Sequence, residues 1–443
     1  MSAKKLMHLS AFQIIILGFF SLIVIGAGLL MLPIATSGSG SASFSDAIFT
    51  SASAVCVTGL VVHDTAVYWS IFGKCVIIIL IQIGGMGIIT VYITAAALLE
   101  RKIGLKQRAV MQESVSAAHI GGIVKFTYFI VKTVLIAEGL GALCLFPTFL
   151  REYGVLKGLG YSVFHSVSAF CNAGFDLMGE KGEFSSMTSY SDVISVNLTL
   201  MMLIIVGGLG FGTIEDITSN KLKFKKYRLQ SKLILATTAI LLIIPFLYFF
   251  FWEFTDFKLK ERLLLSAFQT VTPRTAGFNT ADFSKMSDCG VLVTIMLMLI
   301  GGATGSTAGG MKVTTLSVLA VSAFSVFTRR KDASVFNRRI ADEIIHSAAA
   351  VLFIYIFLFL LSSLIISKTE GLPVLSCMFE SASAIATVGL TLGITTKLGA
   401  LSRFIIIFLM FFGRVGGLTL IFAAVSKTNA ASAKLPLEPV GIG

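Results

Sequence analysis

Four short stretches carry the pattern most able to do chemistry: Val57-Thr58-Gly59, Asn172-Ala173-Gly174, Thr275-Ala276-Gly277 and Thr387-Val388-Gly389. None assembles a nucleophile with a base. Each ends in glycine, the residue that lets a chain take positive φ and turn its carbonyl inward. Four such stretches around one axis would form a ring of carbonyl oxygens. Such a ring can replace the water shell of a weakly hydrated cation such as K⁺. The short helices before them would aim their partially negative C-terminal ends at the same point, which also favours a cation.

A second group of residues reads as control of that path. The stretch GGATGSTAGGMK, with Gly301, Gly302, Thr304, Gly305, Ser306, Thr307, Gly309, Gly310 and Lys312, lies between two strongly apolar runs. Residues 291–327 number 37. As one helix they would measure about 55 Å, against a hydrocarbon core of about 30 Å, so a break is expected at the glycines. The loop so formed would lie below the third glycine stretch and cross the ion path. Arg414 stands in the apolar run FFGRVGG, where a charge costs roughly 2.5–3.5 kcal/mol, so it is a functional candidate. Placed below the carbonyl ring it would repel cations by roughly 3 kcal/mol at about 5 Å and an effective dielectric of 20. The competing reading has it capping carbonyls of a neighbouring helix. Arg274 and Glu380 are expected to meet as a buried pair bracing the filter. Lys312 is left between the cytoplasmic side and a carbonyl. Asp46, near the start of the first pore helix, reads as a cap stabilising that helix N-terminus.

These stretches need elements to hold them, and the chain supplies the same set four times. FTSASAVCVTGL, FHSVSAFCNAGF, AFQTVTPRTAGF and FESASAIATVGL align on Gly59, Gly174, Gly277 and Gly389, which lie 115, 103 and 112 residues apart. Three of the four carry Ser both eight and six residues before the glycine. A second element follows each: GGMGIIT, GGLGFGT, GGATGST and GRVGGLT. Repeats of this kind set the architecture. Each unit reads as a long apolar helix (11–32, 123–147, 231–252, 344–367), a short segment ending at the glycine, and a second apolar helix (72–99, 192–214, 290–327, 400–426). The units are 1–110, 111–228, 229–340 and 341–443. The short segments hold too few residues to cross a bilayer, so they enter and return. Backbone of this kind survives at that depth only where protein or a water-filled cavity covers it.

Composition agrees. The 443 residues are 56% hydrophobic and 13% charged, with a mean hydropathy of +0.91; a soluble domain carries about 25% charged residues. The net charge of +12 comes from clusters between apolar runs, which does not suit a nucleic-acid partner. Segments 1–10, 100–122, 215–232, 327–343 and 427–443 hold 19 Lys and Arg against 8 Asp and Glu, the signature of cytoplasmic loops. The fold expected is all-α and multi-pass in the cell membrane: eight transmembrane helices plus four re-entrant pore helices around one pore, with both termini cytoplasmic. The six cysteines are scattered without a CxxC pair, so neither a disulfide framework nor a zinc site is indicated.

Two other classes fit less well. A phosphate loop needs GxxxxGK[ST] between a strand and a soluble helix, and no such context surrounds GGATGSTAGG. GGLGFG likewise lacks the βαβ setting of a dinucleotide fingerprint. No enzyme and no organic cofactor in this chain is therefore expected. A secondary transporter with broken helices would also show glycine-rich interruptions, but from two long repeats and with acidic residues at the site. It remains the alternative.

With its four helix–pore-helix–helix units and its VTGL, NAGF, TAGF and TVGL stretches, the chain resembles the Ktr/Trk/HKT superfamily of K⁺ transporters across its whole length, TPRTAGF and GRVGGLT included. It begins its first unit at once, as the membrane subunits of the Ktr branch do. The resemblance implies K⁺ uptake, often Na⁺-dependent, by a homodimer with one pore per subunit. It also implies a cytoplasmic ring of RCK-type, nucleotide-binding regulatory subunits, and a gating role for the intramembrane loop. Glycine at all four filter positions, Gly59 included, goes with K⁺ rather than Na⁺ preference in the resembled family.

Overall fold

A computed structural model describes residues 10–38, 40–98, 105–114, 122–221, 223–417 and 419. The elements are helices, with one small hairpin, β1 (Ser334–Val335) and β2 (Arg338–Arg339). The N- and C-terminal segments on which the expected topology partly rests, 1–9 and 420–443, lie outside the described residues.

The first repeat sets the pattern. Helix α1 (Ala11–Leu30) is 20 residues long, about 30 Å and thus one bilayer core. It opens on a reciprocal cap in which Ser10 Oγ accepts from the Gln13 amide at 3.2 Å and Gln13 Oε1 from the Ser10 amide at 3.0 Å. Helix α2 (Phe44–Cys56) has 13 residues, too few to cross. Ser43 starts it by accepting from the Asp46 amide at 3.1 Å, so Asp46 is a first-turn acid rather than the cap. Helices α3 (Ile71–Met86) and α4 (Ile88–Leu98) complete the unit, and α5 (Leu105–Ser114) packs on α1.

The second repeat runs its spanning helix straight into its pore helix. Helix α6 (Ile123–Phe170) bends at Gly154, where φ is 74° and ψ −178°. The spanning part therefore continues past the expected boundary at 147, through Pro147, and residues 155–170 are the pore helix. Helices α7 (Ile194–Gly208) and α8 (Phe211–Asn220) follow. The third repeat holds α9 (Leu229–Tyr248), α10 (Leu259–Val271), α11 (Asp288–Leu299) and α12 (Val313–Phe327). The fourth holds α13 (Asp342–Glu370), α14 (Val374–Ile385) and α15 (Ala400–Val415).

One expectation needs correction. Among the described residues, four helices are long and apolar enough to cross unaided: Ala11–Leu30, Ile123–Phe170, Leu229–Glu253 and Asp342–Glu370. As read from the sequence, the second helix of each repeat is one continuous range, with a break argued for the third. It breaks in all four, at matching places: Gly87 (φ 84°), Gly210 (φ 83°), Gly416 (φ 92°) and the loop after α11. The bend between α7 and α8 is 97°.

Packing ties the first two pore helices to their spanning helices in the same way. Ser51 Oγ donates to the Ile23 carbonyl at 2.7 Å, and Ser166 Oγ to the Glu138 carbonyl at 2.6 Å. These are the serines eight residues before Gly59 and Gly174. Gly84, Gly207 and Gly413 lie directly on the carbonyls of Val55, Phe170 and Ile385, four residues before the respective filter glycines; a methyl on any of them would collide with that oxygen. The second helix can thus press against the C-terminal end of its pore helix, the end that faces the axis.

Candidate functional site

The four glycine stretches form a closed ring. A methyl on Gly174 would lie 2.7 Å from the Ala276 carbonyl oxygen. One on Gly59 would strike the Ala173 carbonyl, one on Gly277 that of Val388, and one on Gly389 that of Thr58. Each repeat touches the next, and the fourth returns to the first. The backbone repeats as well. The residue two before each glycine is left-handed (Val57 φ 59°, Asn172 59°, Thr275 74°, Thr387 53°), and so are the glycines at 87°, 70°, 82° and 94°. Holding Val and Thr at positive φ is strained, and such strain is retained where the surroundings fix it.

Hydroxyls supply the fixing. Ser53 and Ser383 accept from the Gly59 and Gly389 amides at 3.1 and 3.0 Å. Ser168 Oγ donates to the Phe175 carbonyl at 2.7 Å, and Thr272 Oγ1 to that of Phe278. The amides of Thr58, Ala173, Ala276 and Val388 turn back to the carbonyls of Ser53, Ser168, Thr272 and Ser383 at 2.7–2.9 Å. This pinning shell was visible in the sequence as the serine six residues before the glycine, although its role was not read there.

Beneath the ring lies the Gly301–Lys312 loop of the third repeat, hydrogen-bonded to the second and fourth repeats. The Gly301 amide donates to the Met311 carbonyl at 2.8 Å, and the Val313 amide to that of Gly302 at 3.0 Å, which closes the loop on itself. Toward the second repeat, the Ala303 amide donates to Gly208 O at 2.8 Å and the Phe211 amide to Gly305 O at 2.8 Å; Thr307 Oγ1 reaches the Phe170 and Gly207 carbonyls at 3.0 Å each. Toward the fourth, the Gly310 amide donates to Gly413 O at 3.0 Å. Within the loop, Ser306 Oγ donates to Ala303 O at 2.6 Å, while Thr304 meets Thr314 at the start of α12 at 2.9 Å.

Arg414 provides the link to the first repeat. Its Nη1 donates to the Thr307 carbonyl, and its Nη2 to Gly84 O at 2.5 Å and Gly85 O at 3.0 Å. Arg414 therefore caps carbonyls of the first repeat's second helix and of the loop. Lys312 turns to carbonyls, Ala308 O at 2.7 Å and Gly309 O at 3.3 Å. A cavity of about 340 Å³ opens on the loop's other side, lined by Gly85, Phe211, Ser306, Lys312 and Arg414 among others and by none of the ring residues.

The expected Arg274–Glu380 pair is not formed. Arg274 Nη2 donates to the Gly301 carbonyl at 3.3 Å. Glu380 is engaged within its own repeat, accepting from Thr391 Oγ1 at 2.8 Å and from Thr395 Oγ1. Two threonines of the returning chain satisfy the carboxylate, so the arginine is not drawn to it. The pair found instead joins the first and last repeats: Arg403 Nη1 lies 2.9 Å from Asp46 Oδ1, and His63 Nε2 lies 3.2 Å from Asp46 Oδ2. Burial pushes the Asp46 carboxyl up, but hydrogen bonds from Ser43 and His63 and the His63 and Arg403 charges outweigh it. Its pKa falls below the usual carboxylate range.

A ring of carbonyl-bearing strands carried on re-entrant helices, with broken helices beneath it, defines a pore-type cation transporter of the all-helical membrane class. Comparison with known proteins narrows this. The family model TrkH, described as a cation transport protein, matches residues 3–434. The chain is 39% identical to the potassium/sodium uptake protein NtpJ of Enterococcus hirae, covering 98% of both chains. It is also 39% identical to the Ktr system potassium uptake protein B of Bacillus subtilis, covering 96% of this chain and 95% of that one. The crystal structure of the potassium transporter TrkH from Vibrio parahaemolyticus aligns over 94% of this chain and 84% of that one, with a TM-score of 0.75 at 19% identity, a likeness of fold. The chain belongs to the TrkH family of cation transport proteins.

Proposed function

We propose that the chain takes up K⁺ through the carbonyl ring of Val57 to Gly59, Asn172 to Gly174, Thr275 to Gly277 and Thr387 to Gly389, with the Gly301–Lys312 loop and Arg414 as its gate. The observation that carries this reading is the closed cycle of glycine-to-carbonyl contacts with a loop bonded across its inner end. Carbonyl dipoles aimed at one axis replace the hydration of K⁺ at lower cost than that of the more tightly hydrated Na⁺. The arginine adds a fixed positive charge just below. Arg274, hydrogen-bonded to Gly301, braces the third strand against the loop, and Glu380 braces the fourth through Thr391 and Thr395. The four pore units are 1–110, 111–228, 229–340 and 341–443, with both termini cytoplasmic.

The names of the relatives from Enterococcus hirae and Bacillus subtilis support K⁺ as cargo and Na⁺ as a second ion. The Ktr system named for the Bacillus subtilis relative supports work with other components; the family resemblance implies that these are a cytoplasmic RCK-type, nucleotide-binding partner and a second copy of the membrane subunit. The test is Rb⁺ uptake and growth rescue in a bacterium lacking K⁺ uptake, with K⁺, Na⁺ and amino acids as competitors. Rescue with inhibition by K⁺ is expected. A chain present in the membrane that fails to rescue would overturn the reading.

A further inference from the structure

Arg274 is a buried cation without a counter-ion. Its side chain is 8% exposed, and it forms no ion pair among the described residues. The guanidinium donates from Nη2 to Gly301 O at 3.3 Å, and Nη1 has no partner. Glu380, the carboxylate expected to neutralise it, is taken up by Thr391 and Thr395. Charges removed from water are paired or hold an ion, because leaving one bare is costly.

The same side chain lines a slot of about 20 Å³ between the second and third repeats. The other walls include Gly208 on α7, Thr238 and Leu242 on α9, Val271 on α10 and Gly302 of the loop. No residue lines both this slot and the larger cavity, and no ring residue lines the slot. Thr238 brings the one side-chain hydroxyl of the lining, and that hydroxyl makes no hydrogen bond among the described residues. A space of this size admits one particle about as large as a water molecule. A water would leave the arginine's charge uncompensated. A small monovalent anion accepts from the guanidinium and from the hydroxyl, and it cancels the charge as well.

We infer that Arg274 and Thr238 hold one small monovalent anion, chloride in the cell, which neutralises the arginine beside the third filter strand. Arg274 directly precedes Thr275 of that strand. Left bare, its charge would repel a cation held in the carbonyl ring. With the anion in place, the third strand presents the cation with carbonyl dipoles alone. The anion is a resident of the protein and not cargo, since its slot is walled off from the ring. Its effect on uptake rests on the carbonyl-ring reading above, whereas its presence does not.

Bromide tests the presence, because it resembles chloride and scatters anomalously. Crystals of the full chain purified throughout in sodium bromide should show one anomalous peak in the slot. Arg274→Gln should lose the peak, and Arg274→Lys, which keeps the charge, should retain it. Density without an anomalous signal, as from a water, would overturn the inference, and so would a peak that survives Arg274→Gln. If Arg274→Gln does not accumulate, Thr238→Leu decides in its place: it fills the slot, leaves the arginine, and should abolish the peak. The effect on transport is read as Rb⁺ uptake into proteoliposomes prepared in chloride or in gluconate, an anion too large for the slot. The Rb⁺ concentration for half-maximal uptake should rise about threefold in gluconate for the wild type and be the same in both media for Thr238→Leu. Equal wild-type values in the two media would overturn the neutralising role. Bound bromide in a chain that takes up no Rb⁺ in either medium sinks the carbonyl-ring reading and spares the anion site. Rb⁺ uptake by a chain that shows no bromide peak sinks the anion site alone.

Discussion

Arg414 Nη2 lies 2.5 Å from the Gly84 carbonyl oxygen, so a side chain of the last repeat caps the helix break of the first. The same guanidinium holds the Thr307 carbonyl of the loop, and one residue therefore spans three repeats. Arg414→Ala removes three charge-assisted hydrogen bonds and the repelling charge together. Hydrogen bonds to charged groups contribute about 1.5–3 kcal/mol each. Losing even one unit of that from the closed arrangement should raise Rb⁺ uptake about tenfold. Arg414→Lys keeps the charge but not the forked contact, and should fall between. Wild-type uptake in a well-expressed Arg414→Ala protein would mean the residue has only a packing role.

The Arg403–Asp46 pair joins the first and last repeats through positions 357 residues apart. Its side chains are 21% and 17% exposed, so solvent screens it only in part. Asp46→Asn should cost about 1–3 kcal/mol, seen as a lower melting temperature in detergent. The pKa of Asp46 is depressed in the folded protein. Its contribution is therefore present above the unfolded value of about 3.9 and is lost as pH falls through the folded value. The gap between wild type and Asp46→Asn should hold near pH 7 and close below about pH 4. A gap that persists in acid would contradict the linkage.

Much of this architecture was legible because symmetry amplified weak local signals. One VTGL motif is a turn, whereas four at matching offsets are a ring, and Gly59, Gly174, Gly277 and Gly389 do contact one another's strands. The loop at 301–312 was legible from length alone. What stayed hidden depended on distance rather than pattern. Glu380 and Arg274 looked like partners because each was a lone charge in an apolar setting. Nothing in their spacing revealed that Thr391 and Thr395 would reach the carboxylate first. Arg403 and Asp46 sit at opposite ends of the chain, where only cyclic closure brings them together. The breaks at Gly87, Gly210 and Gly416 were encoded by the same repeated element as the loop. They were missed because those apolar runs are not too long for a membrane, so length gave no warning.

Close approach at Gly84 and Gly413 gives a sharp stability test. A methyl at either position collides with a backbone carbonyl, that of Val55 or Ile385, which cannot swing aside as a side chain would. Overpacking typically costs 1–3 kcal/mol, occasionally more, and these sites should reach at least about 3. Gly84→Ala and Gly413→Ala should lose most monodisperse protein on size-exclusion chromatography. Gly28 and Gly139 have nothing within 4 Å of such a methyl, and alanine there should be neutral or stabilising by about 0.5–1 kcal/mol. Equal behaviour of the two pairs would refute the packing argument.

Thr307 offers the finest probe of the gate, because its hydroxyl lies 3.0 Å from two carbonyls of the second repeat, Phe170 O and Gly207 O. Thr307→Val keeps the shape and removes that contact, while the Thr307 amide still reaches Gly207 O at 3.2 Å. The closed loop should weaken by about 1–2 kcal/mol, multiplying a small open fraction about fivefold to thirtyfold. Rb⁺ uptake should rise accordingly, and Thr307→Ser should return it to the wild-type rate. Shortening the loop by several residues should exceed the Val effect, since it removes the contacts to both the second and the fourth repeats. If both variants transport at the wild-type rate, the loop is a hinge within a broken helix and the barrier lies elsewhere. The cavity beyond it would then be an open vestibule, and Arg414 a brace for the fourth repeat.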